Sequence, residues 1–164
     1  MTLSHAAFNE RLDDSHPAVE RIADWMSSLG KPVKIQPTKK ADNFLDAQRL
    51  RDDGDIKILS TGEMIEVKHQ TTVWTDEKSY PYSSIIVSNK NSVDKNRGNV
   101  VVYIILNKDM THAAMVPFAT SEHWFLKKKK PGNTGVYEMF YLCPLEYVQF
   151  VELPVVSGGA YMRQ

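Results

Sequence analysis

A single cysteine, Cys143, excludes an internal disulfide and leaves no thiolate pair for a structural zinc site. It reads as a small buried apolar residue. The five histidines, His5, His16, His69, His112 and His123, have no HxxxH spacing, so a zinc centre built on imidazoles has no support either. No apolar run approaches the roughly 18 residues that span a bilayer. The amino end, MTLSHAAFNERLDD, carries acidic residues where a secretory signal needs a cationic start and an apolar block. The expectation is a cytoplasmic protein with no membrane segment. Neither sign of charge dominates: Lys and Arg number 20, Asp and Glu number 20, and the formal net charge is +0. No global basic field draws the chain to nucleic acid, so any such binding must come from local clusters. There is no GxxxxGK[ST] loop and no GxSxG elbow, which leaves nucleotide-driven motors and serine-type ester hydrolysis without support.

What remains is a chain of ordinary globular composition, 42% hydrophobic and 24% charged, whose 164 residues suit one domain with a real core. SHPAVERIADWMSSLG reads as a helix: Ser15 or His16 caps it, Pro17 fits its first turn and Gly30 its end. Val19, Ile22, Ala23, Met26 and Leu29 form its apolar stripe. A short strand follows at 32–36, then a charged, aperiodic excursion over 37–54. Strands are expected at 55–59, 64–70, 82–88, 99–107, 113–118 and 136–142, with another at 147–153. NVVVYIILN, residues 99–107, is a continuous β-branched and aliphatic run that suits a central strand covered on both faces. The fold class is α/β (α+β), with a mixed central sheet flanked by helices. One domain, 1–164, has its core at about 16–107 and a β-rich extension over 108–164.

Charges recur around the apolar positions of RDDGDIKILSTGEMIEVKHQ, residues 51–70. Carboxylates in strands are costly to desolvate unless a partner such as a metal offsets the cost. Strand alternation puts Asp55 and Lys57 on one face of the first strand, and Met64, Glu66, Lys68 and Gln70 on one face of the second. If Leu59 pairs with Met64, Lys57 lies across from Glu66 and Asp55 across from Lys68. Asp55 and Glu66 are then diagonal neighbours at roughly 7 Å or less, within reach of one cation. Hard carboxylate oxygens suit Mg²⁺, which polarises a phosphate and lowers the pKa of an attacking water. A lysine on the same face can orient that water and stabilise developing negative charge. The alternative is an exposed strand face with ordinary surface ion pairs, each worth about 0–1 kcal/mol.

Asp55 in GDIKI followed by Glu66-Val67-Lys68 in MIEVKHQ, behind an acidic amphipathic helix, resembles the PD-(D/E)xK nuclease superfamily, the restriction-endonuclease-like fold. Gly54 stands where that family often has proline. The resemblance implies that Asp55 and Glu66 bind Mg²⁺, with Mn²⁺ able to substitute, and that Lys68 is the catalytic lysine. It implies a metal-dependent endonuclease acting on DNA. Many relatives dimerise to cut both strands, so a homodimer is implied too. Many add a glutamate from the first helix; Glu20 is the nearest match, though it lies about 130° from the centre of the apolar stripe at about 100° per residue. Gln70 corresponds to a glutamine that positions water or phosphate in some relatives. The segment between Lys68 and residue 99 offers a short strand and a loop where a long helix is common.

Phosphate contacts are expected from Lys90, Lys95 and Arg97 in a loop over 88–98, and from Lys127 and Lys128 of the KKKK run at 127–130; a plain solvated loop is the simpler reading of that run. Trp74, Trp124 and the tyrosines suit either the core or base stacking. Against the enzyme stand two other readings. One is an inactive nuclease-like module that binds nucleic acid or a protein partner. The other is a structural protein with affinity for neither DNA nor cations.

Overall fold

The computed structural model describes residues 5–36, 55–129 and 137–154, with side chains from Pro17 onward in the first helix. The architecture is α/β, a mixed α+β arrangement. Helix α1 (His5–Ser28) leads into β1 (Val33–Ile35), β2 (Ile56–Ile58), β3 (Met64–His69) and β4 (Ser84–Asn89). After these come α2 (Lys90–Lys95), β5 (Val100–Leu106), β6 (His112–Pro117), β7 (Phe125–Lys129), β8 (Glu138–Pro144) and β9 (Gln149–Glu152). Short 3₁₀ turns cover Phe118–His123 and Leu145–Tyr147.

Six strands form one sheet in the order β1-β2-β3-β5-β6-β9, and β4-β8-β7 form a second. All pairs are antiparallel except β3 with β5, where Glu66 lies beside Tyr103, Val67 beside Ile104 and Lys68 beside Ile105. The parallel pair requires a crossover, and the stretch between β3 and β5 supplies it with β4 and α2. Strands β6 and β9, from the stretch after residue 107, belong to the same sheet as the amino-terminal strands.

Two apolar clusters cover the two faces of the large sheet. Ala18, Val19, Ile22, Ala23 and Met26 of α1 pack on Ile56, Ile65, Val67, Ile104 and Leu106. On the other face Tyr103, Ile105, Ala114 and Val116 pack with Ile85, Val87 and Cys143 of the small sheet and with Trp74, Tyr80 and Trp124. Alternation along β3 therefore sends Ile65 and Val67 toward α1, and Glu66 and Lys68 toward the second cluster. Strand β5, five of whose seven residues are buried, is the central strand that its unbroken apolar run predicts.

Several local expectations change. α1 begins at His5 and passes through Pro17, so neither Ser15 nor His16 ends it. Proline removes one backbone donor, and a helix packed against a sheet tolerates the loss. Leu29 is 57% exposed: the helix has ended at Ser28, and Gly30 at φ 81° turns the chain away from the stripe. Residues 90–95 form a helix where a loop is expected, capped by Asn89 Oδ1 accepting from the Ser92 N–H at 2.8 Å. Part of the KKKK run is the edge strand β7, paired to β8 with Lys127 opposite Phe140 and Lys128 opposite Met139. The excursion at 37–54 lies outside the described residues.

Ile65→Ala, at a site 1% exposed beneath α1, should lower stability by about 2–5 kcal/mol in urea denaturation, whereas Leu29→Ala should change it by less than about 0.5 kcal/mol. Equal losses from the two would contradict this placement of the helix.

Candidate functional site

The hairpin between β2 and β3 turns one residue earlier along the chain than Leu59 facing Met64 would require. Ile58 N–H donates to Glu63 O at 2.8 Å and Gly62 N–H to Ile58 O at 2.7 Å, with Gly62 at φ 78°. The four-residue turn is thus 59–62, because the left-handed position falls to the glycine. Lys57 faces Met64, and Ile56 faces Ile65. The net slip is two residues, so every side chain keeps its face, but Lys57 does not oppose Glu66. Counted on this register, Asp55 falls level with Glu66 and not with Lys68.

Asp55 stands at the bend before β2. Its Oδ2 accepts from the Val67 N–H at 2.7 Å, which holds the carboxylate on the peptide that follows Glu66. Glu66 is 4% exposed, on the face it shares with Tyr103 and Ile105. Its Oε2 lies 3.0 Å from Lys68 Nζ. That contact lacks hydrogen-bond alignment, and the same buried oxygen has no hydrogen-bond donor. We read the pair as an electrostatic contact only. A buried carboxylate costs several kcal/mol to desolvate, and one unaligned ammonium offsets only part of that. The Lys68 side chain is about a third exposed, so the pair is reached from solvent on the lysine side only in part.

The donor set suits Mg²⁺: hard anionic oxygens, one of them orphaned and buried. Among the described residues no three His, Cys, Asp or Glu side chains converge. Asp55 and Glu66 are two carboxylates, and Mg²⁺ commonly binds through one or two while keeping waters or phosphate oxygens. Glu20 sits half-buried on α1, which packs against the Ile65 and Val67 face, the one opposite Glu66 and Lys68. The packing of that helix does not bring it to the pair.

Gln70 follows Lys68 on the same side of the strand, and its amide is held by two aromatic residues that sequence reasoning assigned only generic roles. Trp74 Nε1 donates to Gln70 Oε1 at 2.9 Å, and Gln70 Nε2 donates to Tyr80 Oη at 3.1 Å. Indole nitrogen can only donate, which fixes the amide's orientation. Burial pushes the Tyr80 phenol above its ordinary pKa. Trp74 and Tyr80 meet edge to face at 5.6 Å between centroids, and Asn107 Nδ2 donates to Trp74 O at 2.8 Å, so the loop after β3 is tied to the end of β5.

Of the residues expected to contact phosphate, Lys90 and Arg97 converge on one carboxylate. Lys90 Nζ meets Asp94 Oδ2 at 2.6 Å; Arg97 Nη2 donates to Asp94 Oδ1 at 3.1 Å and to Tyr141 Oη at 3.2 Å. Tyr141 Oη also donates to Asp94 Oδ1 at 2.9 Å. The Lys90 contact, with help from Tyr141 and Arg97, holds Asp94 below the usual carboxylate range, and Asp94 in turn raises Lys90. Arg97 stacks over the rings of Phe118 and Tyr141 at 5.5 and 5.8 Å. Lys95 ends α2 on the surface, and Lys127 and Lys128 are exposed on β7, Lys128 lying 5.3 Å over the ring of Tyr137.

Two measurements follow from these networks. Gln70→Leu leaves the Trp74 N–H buried without an acceptor and should cost about 1–3 kcal/mol in urea denaturation, a loss that a solvent-facing glutamine would not produce. Asp94→Asn should lower the melting temperature at neutral pH by about 2–4 °C, about the effect of a 1 kcal/mol loss. Because folding lowers the Asp94 pKa, its contribution is present above the ordinary value near 3.9 and disappears as pH falls through the folded one. The gap between the two proteins should therefore close in acid; a gap that persists there would deny the network this role. No known protein-family model matches the chain, and no curated protein matches it.

Proposed function

We propose that the protein is a Mg²⁺-dependent deoxyribonuclease, an endonuclease of the PD-(D/E)xK kind working in the cytoplasm. The observation that carries this reading is the buried Glu66 carboxylate, its Oε2 without a hydrogen-bond donor and 3.0 Å from Lys68 Nζ, beside an Asp55 carboxylate anchored on the next peptide. Asp55 and Glu66 would hold Mg²⁺ or Mn²⁺, which supplies charge neutralisation at the phosphate and an acidified water. In the reaction a water oxygen bonds to phosphorus and gives up its proton to solvent. The bond from phosphorus to one sugar oxygen breaks, and that oxygen takes up a proton.

Lys68, its ammonium 3.0 Å from Glu66 Oε2, orients the water and offsets the charge that builds on the phosphate oxygens. One N–H of the Gln70 amide goes to Tyr80, and the second would be the one offered to water or phosphate. Lys90, Lys95, Arg97, Lys127 and Lys128 contribute phosphate contacts to the DNA backbone, and Asp94 takes up part of the charge of Lys90 and Arg97. Cutting both strands calls for a homodimer.

A second reading has an observation of its own. Lys68 already meets Glu66, so the two charges partly satisfy each other without a metal, as they would in a module that binds nucleic acid or a protein partner without hydrolysis.

Cleavage of supercoiled, single-stranded and branched DNA with Mg²⁺, Mn²⁺ or EDTA separates the two. The enzyme requires cation-dependent cutting that drops about 100-fold or more in both Glu66→Ala and Lys68→Ala. DNA retained without cutting by folded wild type on every substrate would make the module the correct reading.

A further inference from the structure

Among the described residues strand β7 is an edge of the small sheet, and its sequence, FLKKK, is unusual for one. Lysines blunt edges against pairing with other strands. That accounts for Lys127, Lys128 and Lys129 but not for Phe125, which is 43% exposed beside them. Alternation puts Phe125, Lys127 and Lys129 on one face at about 6.6 Å intervals. Across the ladder, Leu142 faces Phe125, Phe140 faces Lys127 and Glu138 faces Lys129. Leu142 is buried between Phe125 on one side and Ile86 of β4 on the other, yet it belongs to neither core cluster. The face is thus a flat apolar strip with a planar aromatic ring partly uncovered, bordered by cations. Lys127 has only Phe140 opposite it, whereas Glu138 offsets Lys129.

We infer that this face of β7 and β8 binds single-stranded DNA, a base stacking on Phe125 while Lys127, with a smaller share from Lys129, meets the backbone phosphates. The inference rests on the nuclease reading for the choice of DNA, and it names the form of that substrate. Charge complementarity selects the occupant. A second copy adding its own β7 in antiparallel fashion would set Lys127 against Lys127 and Phe125 and Leu126 against lysines, which is unfavourable. A duplex keeps its bases stacked on each other and has no face to offer Phe125, whereas every base of a single strand does.

Fluorescence anisotropy in EDTA, with labelled oligo(dT), the same length of duplex DNA and oligo(U), tests this without hydrolysis. The wild-type chain of 164 residues should prefer oligo(dT) over duplex. Phe125→Leu keeps apolar bulk but removes the flat ring and should weaken oligo(dT) binding about tenfold, the scale of one stacked base. Phe125→Tyr should restore it, and Lys127→Ala should reduce the slope of log K against log salt by about 0.7. Equal affinity for duplex and single strand with Phe125→Leu inert, tighter binding of oligo(U), or no binding would each overturn the proposal. So would a wild-type dimer in sedimentation that Phe125→Leu dissociates. Because the assay is metal-free, its failure leaves cleavage at Glu66 and Lys68 standing, and loss of cleavage leaves this binding intact.

Discussion

The parallel pairing of β3 with β5 decides where the chemistry of this molecule lies. Once Glu66 is set beside Tyr103 and Lys68 beside Ile105, alternation leaves β3 no freedom about faces. Ile65 and Val67 must go under α1, and the charged pair must go to the side where the small sheet, Trp74 and Tyr80 pack. A one-residue slip would bury a lysine and a glutamate beneath the helix in place of Ile65 and Val67, so the apolar packing of α1 enforces the register. The site inherits its order from the core.

That placement has an energetic consequence. A carboxylate almost wholly removed from water in a mostly apolar layer is maintained against its desolvation by one lysine whose geometry is poor for hydrogen bonding. A surface ion pair would be indifferent to such details. Here burial of Glu66 costs stability that Lys68 only partly offsets, and the anchoring of Asp55 by the Val67 N–H adds a second carboxylate at fixed position. Preorganisation of this sort gives electrostatic sites their effect, since no dipoles need to rearrange when the charged partner arrives.

Much of this was legible from residues alone, and the failures share a cause. NVVVYIILN announced the central strand because an unbroken aliphatic run has few other uses, and the parity of Glu66, Lys68 and Gln70 survives any two-residue shift. The register itself did not, because two turns of equal length compete and only the left-handed Gly62 chooses between them. The stripe on α1 was read correctly through Met26 and failed at Leu29, where the helix had already ended. FLKKK looks like a loop because nothing local marks it as a strand; its strand character comes from pairing with β8. Glu20 fits a motif by position, yet its helix serves the other face of the sheet. The roles of Trp74 and Tyr80 were out of reach, since spacing does not reveal which aromatic residue meets an amide on a strand.

Asp94 shows why counting cations misjudges a surface. Lys90, Arg97 and Tyr141 converge on it from α2, the turn after it and β8, so three elements are joined through one carboxylate. An arginine that stacks on two rings and donates to a carboxylate acts first as a clamp between α2 and the small sheet, and its positive field is correspondingly reduced. In a chain of zero formal charge, attraction for a polyanion then depends on lysines that face no such acceptor. Lys127, standing over Phe140 on an open edge, is one of them, which links the clamp on one side of β8 to the exposed strip on the other.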